Sequence, residues 1–386
     1  MTLKIADRAT VPPFIVMDVL HASAQRAAQG LPVFHMAAGQ PSVGIPHGVT
    51  ERLKDLLERD PMGYTVSLGI PELRQKIADH YQTTQGVTIA PERVVVTTGS
   101  SGAFILAFSS CFAPGDRVGL AAPGYPAYPS ILRSLGIEPV RIPVGPDSRY
   151  QPTVEVLETL GEKLDGLIVA SPSNPTGTVM PADELEKLCQ WCDANGVRLI
   201  SDEIYHGITF GDRAVSATRF SQTPVIINSF SKYFCMTGWR LGWMVVPEDM
   251  VRPIECLTQN LFISAPTLSQ YAGTLVFDHL EELEQRVQGY AANRALLLDA
   301  LPAAGITRFA PPDGAFYLYA DVSHLTNDSL SFCQRMLAEC GVAAAPGVDF
   351  DPIGGKSSVR FSFARDHQHV KQAVEALTGW LSRQSR

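Results

Sequence analysis

The sequence predicts an α/β protein whose core is a mostly parallel sheet covered on both faces by helices, with a smaller second domain attached. Three observations predict it. Between about residues 50 and 250, short β-branched runs alternate with helical patterns. After Pro266 the texture changes to a long charged helical pattern. At 386 residues, the chain is too long for one ordinary core and has ample length to bury two.

The expected strands, in order, are residues 93–98, 116–122, 166–171, 197–201, 225–229 and 241–246, each a short apolar run of strand length. Residues 103–112 and 127–135 are long enough for crossover helices between parallel strands. A helix over residues 279–301 carries Glu281, Glu282 and Glu284 at its start and Arg294 later. It leads to the second domain. That domain holds residues 309–322, a helix around 330–340, a strand through 359–363 and a final helix from 367 to 381. There is no internal repeat and no low-complexity segment.

Composition narrows the function classes. With 45% hydrophobic and 18% charged residues, the chain has the make-up of a soluble enzyme. A formal net charge of -8 gives no basic footprint, so neither nucleic acid nor an anionic membrane surface is an expected partner. The first residues lack a signal-peptide layout, and the apolar stretch behind them is interrupted by Pro12, Pro13 and Asp18. No apolar run approaches the ~18 residues that span a bilayer. A cytoplasmic location is expected. Seven scattered cysteines argue against a disulfide framework. Cys189 and Cys192 form a Cys-x-x-Cys pair inside a helical pattern that Gly196 stops, and they read as core-facing packing residues.

Ligands of open α/β sheets bind outside the carboxyl ends of the strands. The distinctive polar residues of this chain fall there. Gly99-Ser100-Ser101-Gly102 follows the first expected strand, Tyr125 the second and Asn174 the third; Asp202 closes the fourth, and Ser229 to Lys232 follow the fifth. Taken singly, each has an ordinary reading: a turn and cap for the Gly-Ser-Ser-Gly run, packing for Tyr125, a proline-bounded turn for Asn174, a cap or salt bridge for Asp202. Together they supply what one cofactor needs. A lysine at the end of a buried strand, flanked by Ser229 and Ser231, loses solvation and becomes an amine nucleophile. Arg240, just past the next turn, offers a planar fork for a phosphate, and a Ser-rich helix start offers N–H groups for the same anion. Tyr125 can stack on a pyridine ring, Asp202 can answer a pyridinium N–H, and Asn174 and Tyr205 can reach a phenolate oxygen. Amine, phosphate clamp and ring partners point to pyridoxal 5'-phosphate.

Seven segments in order, Ala-Gly-Gln-Pro, Gly-Tyr-Thr with Gly-Ile-Pro-Glu-Leu-Arg, Ser-Asn-Pro-Thr-Gly, Ser-Asp-Glu-Ile-Tyr, Ser-Phe-Ser-Lys, Thr-Gly-Trp-Arg-Leu-Gly and Val-Arg-Phe-Ser-Phe-Ala, resemble the class I/II aminotransferases among the fold-type I pyridoxal-phosphate enzymes. The resemblance runs from about Gly39 to Arg360. It implies a large cofactor-binding domain over residues 49–284 and a smaller α+β domain built from both termini, residues 1–48 and 285–386. It implies that Lys232 carries the cofactor as a Schiff base, Asp202 pairs with the ring nitrogen, and Tyr205 and Asn174 bond its phenolate oxygen. Arg240, Ser229 and Ser100 to Gly102 would hold the phosphate, and Arg360 would grip the substrate α-carboxylate with Gly39 nearby. Tyr64 resembles a residue that reaches the phosphate of a neighbouring subunit, which implies a homodimer with shared sites. The expected reaction moves an amino group between an L-amino acid and a 2-oxo acid by ping-pong kinetics.

One departure bears on the substrate. Members that accept aspartate can carry a lysine at the position of Ser101, so serine there places a dicarboxylate preference in doubt. Arg26, Arg141 or the partner chain are the remaining sources of a distal-carboxylate arginine, and the apolar Pro13-Phe14-Ile15-Val16 segment is a candidate cover for an uncharged side chain. Two rivals share the fold: a carbon–sulfur lyase or cyclopropane-forming synthase that keeps Lys232, Asp202 and Arg360, and a non-catalytic regulatory module.

Overall fold

The computed structural model describes residues 3–384. The chain begins with α1 (Ile15–Ala28), β1 (Phe34–His35), α2 (His47–Arg59) and α3 (Pro71–Gln85). Pro71 starts α3, where its missing N–H costs nothing, and Gly86 ends it in the left-handed conformation. The alternating region follows: β2 (Val94–Thr97), α4 (Gly99–Cys111), β3 (Arg117–Ala122), α5 (Ala127–Ser134), β4 (Glu138–Pro143), α6 (Val154–Leu160), β5 (Gly166–Ala170), α7 (Ala182–Asn195), β6 (Arg198–Asp202), β7 (Val225–Ser229) and β8 (Gly242–Val245). Then come α8 (Val251–Leu261), α9 (Thr267–Val276) and α10 (Leu280–Ala303). The chain closes with β9 (Arg308–Phe309), β10 (Tyr317–Asp321), α11 (Ser329–Cys340), β11 (Val342–Ala343), β12 (Ala345–Pro346), β13 (Ser358–Ser362) and α12 (His367–Gln384).

Seven strands form the large sheet in the order β2-β8-β7-β6-β5-β3-β4. Only β8 runs antiparallel to its neighbours. The mostly parallel sheet expected from the sequence is present, with all six expected strands in it. The seventh, β4, escapes a sequence reading because Pro139 and Pro143 interrupt its apolar pattern. It pairs with β3 alone at the sheet edge, where proline is tolerated. The inner strands are buried on both faces, which is why they read as unbroken apolar runs. In α7, Cys189 and Cys192 both face the core at 1% exposure.

A second sheet, antiparallel, has the order β12-β13-β10-β9, and β1 adds a parallel pair with β11. The N-terminal segment is thereby sewn to the C-terminal one. The sewing continues in α1, whose first N–H groups, those of Ile15 and Val16, donate to the Asp349 carboxylate at 2.9 and 3.2 Å. The helix α10 serves both sheets. Tyr233, beside Lys232, donates to Glu284 at 2.6 Å, and further along Asn293 donates to the carbonyls of Phe363 and Arg365 just past β13. The boundary expected after residue 284 falls inside this continuous helix. One apolar core runs through both parts, from Val94 and Leu199 in the large sheet to Phe361 and Trp380. Among the described residues no helix is long and apolar enough to cross a membrane.

Candidate active site

A cavity of about 260 Å³ opens at the carboxyl edge of the parallel strands. Because β2, β3, β5, β6 and β7 all point the same way, their terminal loops arrive on one side. Of the fourteen positions singled out in the sequence, eleven line this cavity: Gly39, Ser100, Ser101, Tyr125, Asn174, Asp202, Tyr205, Ser231, Lys232, Arg240 and Arg360. Ser229, Gly102 and Tyr64 do not. Ser229 is buried under the turn, donating to the Leu241 carbonyl at 3.3 Å and accepting from the Ser231 N–H at 3.1 Å. Gly102 faces Thr98 and Phe262 within the first turn of α4. Tyr64 points outward and is 84% exposed.

The turn that Ser229 ties together delivers Lys232. Its Nζ donates to the Gly39 carbonyl at 2.7 Å and stands 5.7 Å from the centre of the Tyr205 ring. Burial, helped by the charges of Arg360 and Arg240, pulls this amine down to about 8, against the opposing attraction of Asp202. A substantial neutral fraction therefore exists near physiological pH.

Asp202 closes β6 and is 3% exposed. One carboxylate oxygen accepts from the Tyr128 hydroxyl and the other from the Ile204 N–H at 3.2 Å. Burial pushes the group up to about 6, while those two donors and the Lys232 charge resist. No lysine, arginine or histidine among the described residues forms an ion pair with it. A buried carboxylate that lines a cavity without a cation is a receptor for one.

The rim opposite is built for an anion. Helix α4 starts with no side-chain cap, which leaves its first N–H groups open, and Arg240 lies across them with Nη2 3.5 Å from the Ser101 hydroxyl. Gly99 has φ +68°, and a Cβ there would lie 2.5 Å from Arg240 Nη2. Only glycine admits the guanidinium this close.

Arg360, in β13, is 2% exposed. Its guanidinium lies between the rings of Tyr317 and Phe350, 4.3 and 4.6 Å from their centres. Nη1 donates to Asn174 Oδ1 at 2.7 Å, Nη2 to the Ala37 carbonyl, and Nε meets no partner. No carboxylate among the described residues pairs with it. A desolvated guanidinium with an unused N–H lacks its natural counter-ion, which a ligand carboxylate supplies.

Sequence reading missed several contributors. Tyr128 lies one turn beyond Tyr125, at the start of α5, and that spacing was the available signal. Tyr317, whose hydroxyl meets that of Tyr205 at 2.7 Å, sits in an apolar strand with nothing to distinguish it. Phe350 and the α1 residues Met17 and Leu20 reach the site only through the tertiary fold.

The chain matches the family described as "Aminotransferase class I and II" over residues 32–377. It is 50% identical to the valine–pyruvate aminotransferase of Mycobacterium tuberculosis, over 100% of both chains. It is 31% identical to the aspartate/prephenate aminotransferase of Thermus thermophilus over 92% of each chain. Among solved structures, an aminotransferase from Mycobacterium tuberculosis superimposes with a TM-score of 0.97 at 50% identity, covering 99% of this chain and 100% of that one. The aspartate aminotransferase of Thermus thermophilus with maleate gives 0.91 at 29% identity, covering 98% of this chain and 100% of that one. Fold, motif order and whole-length similarity agree with the resemblance read from the sequence: the chain belongs to the class I and II aminotransferases, enzymes that transfer amino groups.

Proposed function

We propose that the chain is a pyridoxal-phosphate-dependent aminotransferase that moves an amino group from an apolar, monocarboxylic L-amino acid to a 2-oxo acid. The carrying observation is the convergence of the Lys232 amine, the uncompensated Asp202 carboxylate and the uncompensated Arg360 guanidinium on one cavity.

The residues present fit the cofactor. The open α4 N-terminus with Arg240, Ser100, Ser101 and Ser231 suits a phosphate, with Ser229 and Gly102 supporting that rim from behind. Asp202 suits a protonated ring nitrogen, Tyr125 offers a ring face, and Tyr205 and Asn174 offer donors to a phenolate oxygen. Pyridoxal phosphate, when bound, supplies an electrophilic carbonyl carbon and a conjugated ring that draws off the electron pair left at the substrate Cα.

The chain's own groups supply the rest. Arg360 binds the substrate α-carboxylate through its fork and so orients the Cα–H bond. The Lys232 amine, neutral in part and tethered to the Gly39 carbonyl, would take the proton from the substrate Cα and hold it as an ammonium group inside the cavity. Asp202 stays anionic while positive charge sits opposite it, and Tyr128 holds that carboxylate in place. The two half-reactions use one site, so ping-pong kinetics follow.

Substrate class comes from the mouth of the cavity. Phe14, Val16, Met17, Leu20 and Ile131 line it, and Ser101 offers no positive charge. That lining suits a branched aliphatic side chain better than a second carboxylate. The similarity to a valine–pyruvate aminotransferase supports the same choice and favours transamination over the lyase reading. We also infer a homodimer in which Tyr64 reaches the neighbouring site, since its ring is exposed, as are the apolar side chains of Leu57, Val66, Leu261 and Ile263.

The test is to mix cofactor-loaded protein with single amino acids and no oxo acid. Valine is expected to yield one equivalent of 2-oxo acid per site and bleach the cofactor's visible band. Faster conversion of aspartate would overturn the substrate class, and sustained ammonia release would overturn the reaction.

A further inference from the structure

We infer that Tyr317 is a positioning residue that joins the cofactor side of the cavity to its carboxylate side, an inference that rests on the reading of Lys232, Tyr205 and Arg360 given above. Tyr317 opens β10 and is 1% exposed. Its hydroxyl lies 2.7 Å from that of Tyr205, and its ring face lies 4.3 Å from the Arg360 guanidinium. The hydroxyl also fills the space above Gly39, where a Cβ would come within 1.6 Å of it. The carbonyl of that same glycine holds Lys232 Nζ. One side chain thus touches the groups assigned to the phenolate oxygen and the α-carboxylate, together with the glycine whose carbonyl holds the amine.

The hydrogen-bond direction follows from proton count. A tyrosine hydroxyl has one proton to give. When Tyr205 donates into the cavity, its oxygen can only accept from Tyr317. The two hydroxyls then form a relay in which the outer bond polarises the inner one and strengthens Tyr205 as a donor. Arg360, Tyr205 and Tyr125 interact electrostatically with this hydroxyl, and Lys232 is held by the carbonyl of the glycine it abuts. The ring has a separate task. Stacked on Arg360, it fixes the plane of the fork that meets the carboxylate.

Hydroxyl and ring are separable by substitution. Tyr317→Phe removes the relay and keeps the stack, whereas Tyr317→Leu removes both. Cofactor-loaded wild type, Tyr317→Phe, Tyr317→Leu and Tyr205→Phe would be compared in three readouts. These are the pH midpoint of the bound cofactor's absorbance change, the dissociation constant for pyridoxal phosphate, and KM against kcat for the amino donor. A donor to an oxyanion favours its deprotonated form, so weakening the donor raises the midpoint. Tyr317→Phe is expected to raise it in the same direction as Tyr205→Phe but by less, with KM near that of wild type. Tyr317→Leu is expected to add a rise in KM of roughly threefold to thirtyfold. A Tyr317→Phe protein with unchanged midpoint and unchanged cofactor affinity would overturn the relay. An unchanged KM in Tyr317→Leu would overturn the stacking role. Wild-type protein that takes up no pyridoxal phosphate would defeat the functional reading itself, and this inference with it.

Discussion

On the floor of the cavity, Asp202 ends β6, and Lys232 sits in the turn three residues past the end of the neighbouring parallel strand β7. On the roof, Arg360 is held by Asn174, by a carbonyl at position 37 and by two ring faces from positions 317 and 350. The roof also includes α1, capped by a carboxylate 334 residues away along the chain. The floor is set by main-chain pairing that brings the ends of β6 and β7 together and by the short turn that follows β7. The roof is set by individual side chains drawn from distant segments. Chemistry common to many substrates can rest on the first, and preference for one substrate can be adjusted through the second without disturbing it.

Substitutions test that division. Lys232→Ala should break the floor outright, lowering kcat by roughly 10⁴-fold while the protein stays folded, as circular dichroism and single-turnover assays would show. Asp202→Asn should keep the geometry and remove the charge, with a loss of roughly 10²- to 10³-fold in kcat. If either substitution mainly changed the ranking of amino donors, the division would fail.

Arg360→Lys attacks the roof. A point charge replaces a planar fork, and kcat/KM should fall roughly tenfold to a hundredfold with cofactor affinity retained in equilibrium titration. The pH dependence returns to the floor. The Lys232 pKa is lowered from 10.5 to about 8, so its neutral, reactive form grows as pH rises towards 8. In stopped-flow mixing, uptake of pyridoxal phosphate by cofactor-free protein should therefore speed up roughly tenfold per pH unit below that point and level off above it. Smallest is Asp349→Ala, which removes the acceptor for two N–H groups of α1. It should cost about 1 kcal/mol in denaturant unfolding and raise KM for aliphatic donors a few-fold, leaving kcat nearly unchanged.

The same division governs what the sequence reveals. Floor residues follow apolar runs that announce strands, so their position at or just past a strand end is enough to group Asp202 and Lys232. Roof residues lack such markers. The segment that becomes α1 is broken by Pro12, Pro13 and Asp18 in sequence, and its N-terminal cap comes from Asp349, which no local pattern can announce. Tyr317 and Tyr319 both alternate through β10, yet only the tertiary fold decides that Tyr317 meets Tyr205. Tyr128 is intermediate: its spacing from Tyr125 is visible, but its bond to Asp202 is decided by the tertiary fold.

Helix α10 touches both regions, through Glu284 beside the lysine turn and Asn293 beside the arginine strand. At about 100° per residue, the step of nine residues from Glu284 to Asn293 amounts to about two and a half turns, so the two side chains leave opposite faces about 13.5 Å apart. The helix acts as a vernier between floor and roof. Inserting one residue between those positions would swing Asn293 by about 100° relative to Glu284 and advance it by about 1.5 Å. Any insertion or deletion along this one helix therefore changes the angle between its two contacts, their separation, or both.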